Sequence, residues 1–311
     1  MKILFCTTKS SPDYGMDTLF DGLCQLLGPE NVYHYPHKPT LHGTLIKNLA
    51  WYPCFFNYPT QISDEKKVNL LKKNYFDIIL VGCRRNKHYL SDTIFNLIKE
   101  KSSTIPVFLI DQDDYAGINT SLLNELNSQL YFKRECTNKD IKNPKIIPLS
   151  FSYSSKYMPK NIDGDRVNTL FWAGKVIPSR KPYVRICREQ RGRPFYGFPQ
   201  DRYRRHLIMH TIGLNLQGLG NDTVRYYEIP AHGTLLFTQK SEILVDNGFE
   251  NGKTAVIFDS PEEMVKKLDF CLKNTAYTDK IRLAGHKWFN KHHTTKVRAR
   301  QLIDKIKKSI S

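Results

Sequence analysis

The segment "IGLNLQGLGNDTVRYYEIPAHGTLLFTQ", residues 212–239, places a helical pattern between two short apolar runs. The runs "IGLNLQG" and "GTLLFTQ" have the length and the apolar composition of buried strands. "DTVRYYEIPA" separates them and begins with polar residues of the kind that cap helices. Two buried strands that are joined by a helix predict a parallel βαβ unit. The segment therefore predicts an α/β fold that is built on a doubly wound parallel sheet.

The same alternation of strands and helices runs through the rest of the chain and is interrupted once. It fills the first 150 residues and begins again at "VNTLFWAG", after the polar stretch of residues 151–166 with its Pro, Gly and Ser. We therefore predict two Rossmann-like doubly wound domains at residues 1–155 and 166–290, followed by a helix at residues 291–311. Ligands of such sheets bind outside the carboxyl ends of the strands, so we expect the active site in the cleft between the domains.

The composition is typical of a globular cytosolic protein. Of the 311 residues, 40% are hydrophobic, and no apolar run approaches the ~20 residues of a membrane span. The apolar run after Lys2 is too short for a signal peptide. The seven cysteines are scattered and form no CxxC pair, as expected of reduced thiols. We predict a cytoplasmic protein without a transmembrane segment, and no oligomeric state follows from the sequence.

The net charge of +17 is the most unusual bulk feature of the chain. It is concentrated in residues 178–206, where nine basic residues accompany two acidic ones, and in residues 291–308, where seven accompany one. Such a surface attracts nucleic acid, an anionic membrane face or a phosphorylated substrate, or it serves solubility alone. Arginines alternate there with aromatic residues, and basic side chains contact phosphates while aromatic rings stack on bases. The candidate nucleic-acid-binding residues are Arg84, Arg85, Lys87, Arg188, Arg191 and Arg193.

Arg225 and Glu228 are the residues of the opening segment that indicate chemistry. They stand at positions i and i+3 on one face of the predicted helix, directly after a glycine-rich corner. An arginine there can bind a diphosphate with two parallel hydrogen bonds, and a carboxylate can accept from two ribose hydroxyls. The alternative is a surface ion pair on a packed helix, which the spacing alone favours. In the first case backbone N–H groups at the helix start would also face the ligand, and the candidates are Gly220, Asn221 and Thr223.

The motifs of the second half resemble a known enzyme family. "RYYEIPAHGTLLFTQ", "LVDNGFENGKTAVIFDSPEEMVKKLDFCLKN" and "HKWFNKHHTTKVRARQLI" are similar in content and order to the C-terminal half of GT-B glycosyltransferases of the group 1 and CgeB-like type. The similarity covers about residues 212–303. It implies a GT-B fold, a nucleoside-diphosphate sugar as the donor, with a UDP-sugar expected first, and a last helix that packs back toward the N-terminal domain.

The resemblance also implies roles for individual residues. Arg225 would contact the donor diphosphate and Glu228 the donor ribose. A basic residue near the corner at Gly174 would meet the phosphates, and the candidates are Lys175 and Arg180. Retaining members of the family usually carry another glutamate seven residues before the one that corresponds to Glu228, and this chain has Asn221 at that position. We therefore expect transfer with inversion.

Three aspartates in "FLIDQDDYAG" are the candidates for a catalytic base, because they follow a buried strand and face the predicted cleft. An inverting transferase needs a carboxylate that accepts the proton of the acceptor hydroxyl, and repulsion among three carboxylates raises the pKa of one of them. We favour Asp113 or Asp114 over Asp111, and place Asp13 next, in the loop after the first strand. A magnesium site and turn aspartates without a catalytic role are the alternatives.

Two further residue sets near the N-terminus receive a structural interpretation. Asp17 is expected to cap the first helix. His34, His37 and His42 show no spacing of metal ligands, and we expect them on a loop. No metal-binding residue is predicted, and the metal requirement of transfer is left open.

The acceptor is predicted from the charge and from a second resemblance. The Arg-x-x-Glu element, in a small basic chain, is similar to that of the DNA glucosyltransferases of T-even phages. We therefore expect transfer to a hydroxymethylated cytosine in double-stranded DNA, where aromatic side chains would help to expose the base. One alternative is transfer to an envelope or capsule saccharide at an anionic membrane surface. The other is a nucleic-acid-binding protein on an inactive transferase scaffold.

Overall fold

The computed structural model describes residues 1–9, 11–44, 52–59, 62–84, 87–191 and 199–310, and gives the backbone alone for Lys87 and residues 188–191. The chain folds into two compact units. Unit 1 consists of Met1–Ser152, Ile243–Asp246 and Thr295–Ser311, and unit 2 of Tyr153–Glu242 and Asn247–Thr294. The division at Ser152 and Tyr153 lies just before the boundary at residue 155 that the sequence suggests.

A parallel sheet forms the centre of unit 1. In the described part of the chain its strands are β1 (Ile3–Cys6), β2 (Val32–Tyr35), β3 (Ile78–Arg84), β4 (Lys87–His88), β5 (Val107–Asp111), β6 (Leu130–Lys133) and β7 (Ile146–Pro148). Their order is β2-β1-β3-β5-β6-β7, with all neighbours parallel, and the short β4 pairs antiparallel with β3. β5 is buried throughout, as is typical of strands that are covered on both faces.

Four helices accompany these strands in the described residues before Ser152: α1 (Tyr14–Leu27), α2 (Asp64–Lys72), α3 (Asp92–Lys101) and α4 (Thr120–Glu125). α1 begins at Asp13, whose carboxylate accepts a hydrogen bond from the Met16 amide at 3.1 Å, and ends at Gly28 with φ of 87°. The prediction that Asp17 caps this helix is wrong. Asp17 lies inside α1, which Asp13 caps. Its carboxylate is fully buried, and the buried Lys38 compensates its charge at 2.6 Å.

Unit 2 contains a second parallel sheet with the strand order β11-β10-β9-β8. Its described strands are β8 (Val167–Phe171), β9 (His210–Asn215), β10 (Leu235–Gln239) and β11 (Val256–Phe258). The helices of its described part are α5 (Lys181–Arg191), α6 (Gln200–Met209), α7 (Val224–Ala231), α8 (Pro261–Lys273) and α9 (Thr275–His292). β9, α7 and β10 form the βαβ unit of the opening segment, so the predicted α/β class with parallel sheets is confirmed.

The helix α10 (Thr295–Ile310) belongs to unit 1, although the chain reaches it through unit 2. It packs along α1. Gly22 of α1 permits the close approach, since a Cβ atom at this position would lie 2.0 Å from the carbonyl oxygen of Thr295. The buried face of α10 includes Leu302, Ile303 and Ile306.

Candidate functional site

The loop that joins β9 to α7 is held by a chain of buried hydrogen bonds. The side-chain nitrogen of Asn215 donates to the Thr238 hydroxyl at 2.9 Å, and the side-chain oxygen of Asn215 accepts from the Thr223 hydroxyl. Thr223 is the residue at which α7 begins, in extended conformation, but its hydroxyl faces Asn215 rather than the helix. These contacts fix the start of α7 at the carboxyl end of the sheet, where ligands of parallel sheets bind.

Arg225 in the first turn of α7 is anchored to the corner after β8. Its Nε donates to the carbonyl oxygen of Ala173 at 2.7 Å. A Cβ atom at Gly174 would lie 2.7 Å from one Nη of Arg225, so a larger residue at this corner would displace the guanidinium. The Nη atoms make no hydrogen bond or ion pair with the residues that the structure describes. The half-buried guanidinium therefore keeps donors that a ligand can use.

Glu228 lies one turn later on the same helix and is 4% exposed. Burial raises the pKa of its carboxyl group, while the charges of Arg225 and Arg204 and a hydrogen bond from Tyr203 act in the opposite direction. Within the described residues, Glu228 and Arg225 form no ion pair. A surface ion pair, which the spacing alone favours, is therefore excluded by the burial of Glu228.

Arg180 makes its hydrogen bonds within the protein, whereas the sequence suggests that it contacts the donor phosphates. It is 7% exposed and donates to three carbonyl oxygens, those of Gln217 at 2.7 Å, Lys175 at 3.0 Å and Leu216 at 3.1 Å. Burial, with a smaller contribution from Arg225, lowers the pKa of Arg180 to about 10. Arg180 thus ties the loop after β8 to the loop after β9, and Lys175 is the exposed basic residue at this corner.

The remaining candidates of the glycine-rich corner differ in exposure. Gly220 and Thr223 are buried, whereas Asn221 is exposed. The amide of Gly218 donates to the carbonyl oxygen of Gly220 at 2.9 Å and so is engaged within the loop.

The three aspartates after β5 are accompanied by cations from the neighbouring strand. Asp111 is 1% exposed and lies 3.2 Å from Lys133, and it accepts a hydrogen bond from Tyr131 at 2.6 Å. Asp114 forms an ion pair with Arg134 at 2.5 Å. The expectation of three mutually repelling carboxylates is therefore not met, because cations compensate two of them. "LYFKREC" carries the missed signal, because Lys133 and Arg134 end the strand that pairs with β5.

Asp113 and Asp13 complete the carboxylates at this edge of unit 1. Asp113 is half-buried, and its carboxylate accepts from the Asp114 amide at 2.9 Å. Asp13, the N-cap of α1, accepts hydrogen bonds from the Tyr89 hydroxyl at 2.9 Å and from the Met16 amide at 3.1 Å. A Cβ atom at Gly15 would overlap the Gln112 side chain, so the first turn of α1 and the loop after β5 lie in contact. The structure thus brings Asp13 and the aspartates after β5 to one edge of the sheet.

The candidate nucleic-acid-binding residues are placed only in part. Arg84 is half-buried at the end of β3, where its Nε donates to the Tyr89 hydroxyl at 3.1 Å, so it points into the carboxylate edge. Arg85 and Arg193, with the side chains of Lys87, Arg188 and Arg191, lie outside the described residues.

The prediction for the histidines is wrong in the placement of His34 and in the expected lack of a metal-ligand arrangement, whereas His37 and His42 do lie on a loop. His34 lies in β2 rather than on a loop, and one ring nitrogen from each of His34, His37 and His42 lies within 4.8 Å of the others. The spacing missed this grouping because a turn between β2 and His42 brings the rings together.

Residues 188–304 match a family model whose description is glycosyl transferase-like. Comparison with curated protein sequences gives no match. In the described part of the chain, no helix combines the length and the apolar character needed to cross a membrane.

Three solved structures are similar to nearly the whole chain. A glycosyltransferase from Rickettsia africae covers 100% of this chain and 98% of its own, with a TM-score of 0.64 and 12% identity. An α-glucosyltransferase in complex with UDP-glucose and DNA containing an abasic site covers 99% of both chains, with a TM-score of 0.63 and 13% identity. HepE from Anabaena in complex with UDP and glucose covers 99% of both chains, with a TM-score of 0.59 and 12% identity.

The fold is GT-B. At identities of 12% and 13%, the structural similarity establishes the fold and leaves substrates to be tested. The predicted GT-B class is confirmed, and the glycosyl transferase-like match covers α7 and its Arg225 and Glu228. The expectation of a transferase is confirmed at the level of this domain.

Proposed function

We propose that this GT-B protein is a glycosyltransferase whose unit 2 binds a nucleoside-diphosphate sugar, with UDP as the nucleotide. The observation that supports the proposal most directly is the pair of Arg225 and Glu228 on α7. One presents guanidinium donors at a glycine corner, and the other is a buried carboxylate one turn away. UDP in the solved complex of the similar HepE, and UDP-glucose in that of the similar α-glucosyltransferase, support the choice of donor.

The geometry gives each of these residues a part in donor binding. With Nε held by the Ala173 carbonyl, Arg225 would direct its Nη atoms at the diphosphate and stabilise the negative charge of the leaving group. Lys175 would add a second positive charge from the same corner. Glu228 would accept hydrogen bonds from the ribose hydroxyls. Arg180 would act on the donor only through the backbone of the two loops that it joins.

Unit 1 would supply the base for direct displacement with inversion. The base accepts the proton of the acceptor hydroxyl as its oxygen attacks the anomeric carbon and the nucleoside diphosphate departs. Asp111 is buried in contact with Lys133 and Tyr131, and Asp114 forms an ion pair with Arg134. Asp113, which is half-buried two residues after β5, is the first candidate for the base, and Asp13 is the second.

We expect Asp113→Asn to abolish sugar transfer and to leave donor affinity unchanged, because the amide cannot accept the proton. General-base catalysis contributes about 10²- to 10⁴-fold, which sets the size of the expected loss. Asp304→Asn, an exposed change on α10, is the control. If Asp113→Asn and Asp114→Asn both retain full activity, the base lies elsewhere, and Asp13→Asn is the next variant to measure.

The acceptor that we propose is hydroxymethylcytosine in double-stranded DNA. The net charge of +17 and the fold shared with an α-glucosyltransferase that is solved with DNA support it. A saccharide at a membrane surface is the competing acceptor.

The experiment combines DNA binding at two salt concentrations with a transfer assay read by mass spectrometry. Plain and hydroxymethylcytosine duplexes are incubated with a panel of nucleotide-sugars. The expected result is binding that weakens steeply with salt, together with a mass gain of one sugar residue on the modified duplex only. Binding without a mass gain under any donor would favour an inactive scaffold. Absence of binding at low salt would exclude DNA and direct the search to saccharides.

A further inference from the structure

The histidines of unit 1 form a cluster that the proposed sugar transfer does not use. His34 lies in β2, His37 follows the strand, and His42 follows the helical turn Pro39–Leu41. One ring nitrogen from each lies within 4.8 Å of the others. His34 is fully buried, while His37 and His42 are half-buried and give the cluster access to solvent.

The hydrogen bonds of His42 fix its tautomer. Its Nδ1 lies 2.8 Å from the carbonyl oxygen of Tyr58, and because a carbonyl only accepts, Nδ1 carries the proton. Nε2 therefore presents a lone pair toward the other rings. Metal-binding histidines are oriented in the same manner, by donating the second ring N–H to a backbone carbonyl or carboxylate.

His34 presents a second lone pair to the same point. Its Nε2 accepts from the Lys38 amide at 3.1 Å and lies 3.3 Å from Nε2 of His42. Two lone pairs at this distance repel unless a proton or a metal ion lies between them. Zinc bonds of about 2.0–2.1 Å in tetrahedral geometry place two ligand nitrogens about 3.4 Å apart. The spacing of the two Nε2 atoms matches that separation, and an ion there would replace the Lys38 amide at His34.

The nearest positive charges do not prevent cation binding, since each has a carboxylate partner. Lys38 lies 2.6 Å from Asp17, and Lys67 lies 3.0 Å from Asp64. Asp64 also accepts from the backbone amide of His37, at 3.0 and 3.1 Å, and so holds this segment beside the other two rings.

We propose that His34, His37 and His42 bind one divalent transition-metal ion, with Zn²⁺ the best match. Three neutral imidazoles suit zinc and its neighbours rather than magnesium or calcium, which prefer oxygen ligands. The ring of His37 is stacked on that of His42 at 4.9 Å and tilts toward the pair when the ion binds. The ion acts as a structural clip that joins β2 to the turn that follows it.

The test uses the tag-free, full-length protein after treatment with a chelator and dialysis. Zn²⁺ alone is titrated by calorimetry, and Co²⁺ is added separately because its visible absorption reports tetrahedral coordination. The expected results are one Zn²⁺ per chain, a Co²⁺ spectrum that Zn²⁺ abolishes, and a rise in Tm with Zn²⁺. His37→Gln and His42→Gln are each expected to weaken Zn²⁺ binding by at least about 10-fold.

His88→Gln is the matched control, because His88 is the fourth histidine of unit 1 and stacks on Phe95, outside the cluster. Its Zn²⁺ affinity is expected to equal that of the unmodified protein. Far-UV circular dichroism and Tm without metal establish that each variant is folded, and His37 and His42 are chosen because both are half-buried. Absence of Zn²⁺ binding by the unmodified protein, or equal affinity in all three variants, would overturn the proposal.

Discussion

Glu228, the proposed ribose-binding residue, lies in an environment that is unfavourable for a carboxylate. A carboxylate that is removed from water loses hydration, and the positive charges of Arg225 and Arg204 compensate only in part, so its pKa remains raised. Residues that are strained in this manner are typical of binding sites, where a ligand supplies the missing partners. The ribose hydroxyls of the proposed donor would be such partners.

We expect Glu228→Gln to weaken the binding of a UDP-sugar by roughly 10- to 100-fold, since hydrogen bonds to a charged group contribute about 1.5–3 kcal/mol. The same substitution should raise the Tm at neutral pH. A carboxyl group with a raised pKa destabilises the fold when ionised, and this effect vanishes as the pH falls below the ordinary value of 4.5. The difference in Tm from the unmodified protein should therefore shrink at acidic pH.

Calorimetric titration and thermal unfolding across pH measure both effects. Glu242→Gln, an exposed change in unit 2, is expected to alter neither. Unchanged donor affinity in Glu228→Gln would remove this residue from the donor site.

At the scale of single residues, the sequence predicts which chemical groups lie at the ends of strands. It does not predict the partners that each group contacts. Asp111 and its neighbours were found because a strand ends there, but their cationic partners belong to the next strand, which spacing along the chain does not relate to them. Arg180 was found as a basic residue, yet its carbonyl contacts depend on the path of two loops. Pairing across strands and loop paths are tertiary facts that no local pattern contains.

At the scale of elements, the close contact of α1 and α10 depends on the absence of a side chain. The carbonyl oxygen that a Cβ at Gly22 would meet belongs to the backbone of Thr295, so no change of rotamer relieves the overlap. The buried strands and most helices were predictable from apolar patterns. The family resemblance implies only that the last helix packs back toward the N-terminal domain. Its packing on α1 follows from no local pattern, because unit 2 lies between the two helices in the sequence.

We expect Gly22→Ala to lower the free energy of unfolding by up to about 2 kcal/mol. Alanine favours the helix by about 1 kcal/mol, but overpacking against a backbone atom typically costs about 1–3 kcal/mol. Urea denaturation measures the net effect, and Asp304→Ala on the exposed face of α10 should stay within about 0.5 kcal/mol of the unmodified protein. A stabilised Gly22→Ala protein would contradict the close packing of the two helices.

At the scale of the whole molecule, unit 1 is discontinuous in sequence. Residues 1–152 alone lack α10 and expose the apolar face of α1, so we expect this fragment to unfold without cooperativity and to aggregate. Addition of a separate peptide of residues 295–310 should restore a cooperative transition. Near-UV circular dichroism and size-exclusion chromatography with and without the peptide provide the measurement. A cooperative transition of the fragment alone would show that unit 1 does not need α10.

The placement of α10 also determines the order in which the protein can be completed during synthesis. Domains generally fold from the N-terminus onward as the ribosome extends the chain. Here the last residue of unit 2 precedes α10, so unit 2 has all its residues while unit 1 still waits for its final helix. The half that is translated first is therefore finished last, and until then a chaperone would find the apolar face of α1 uncovered.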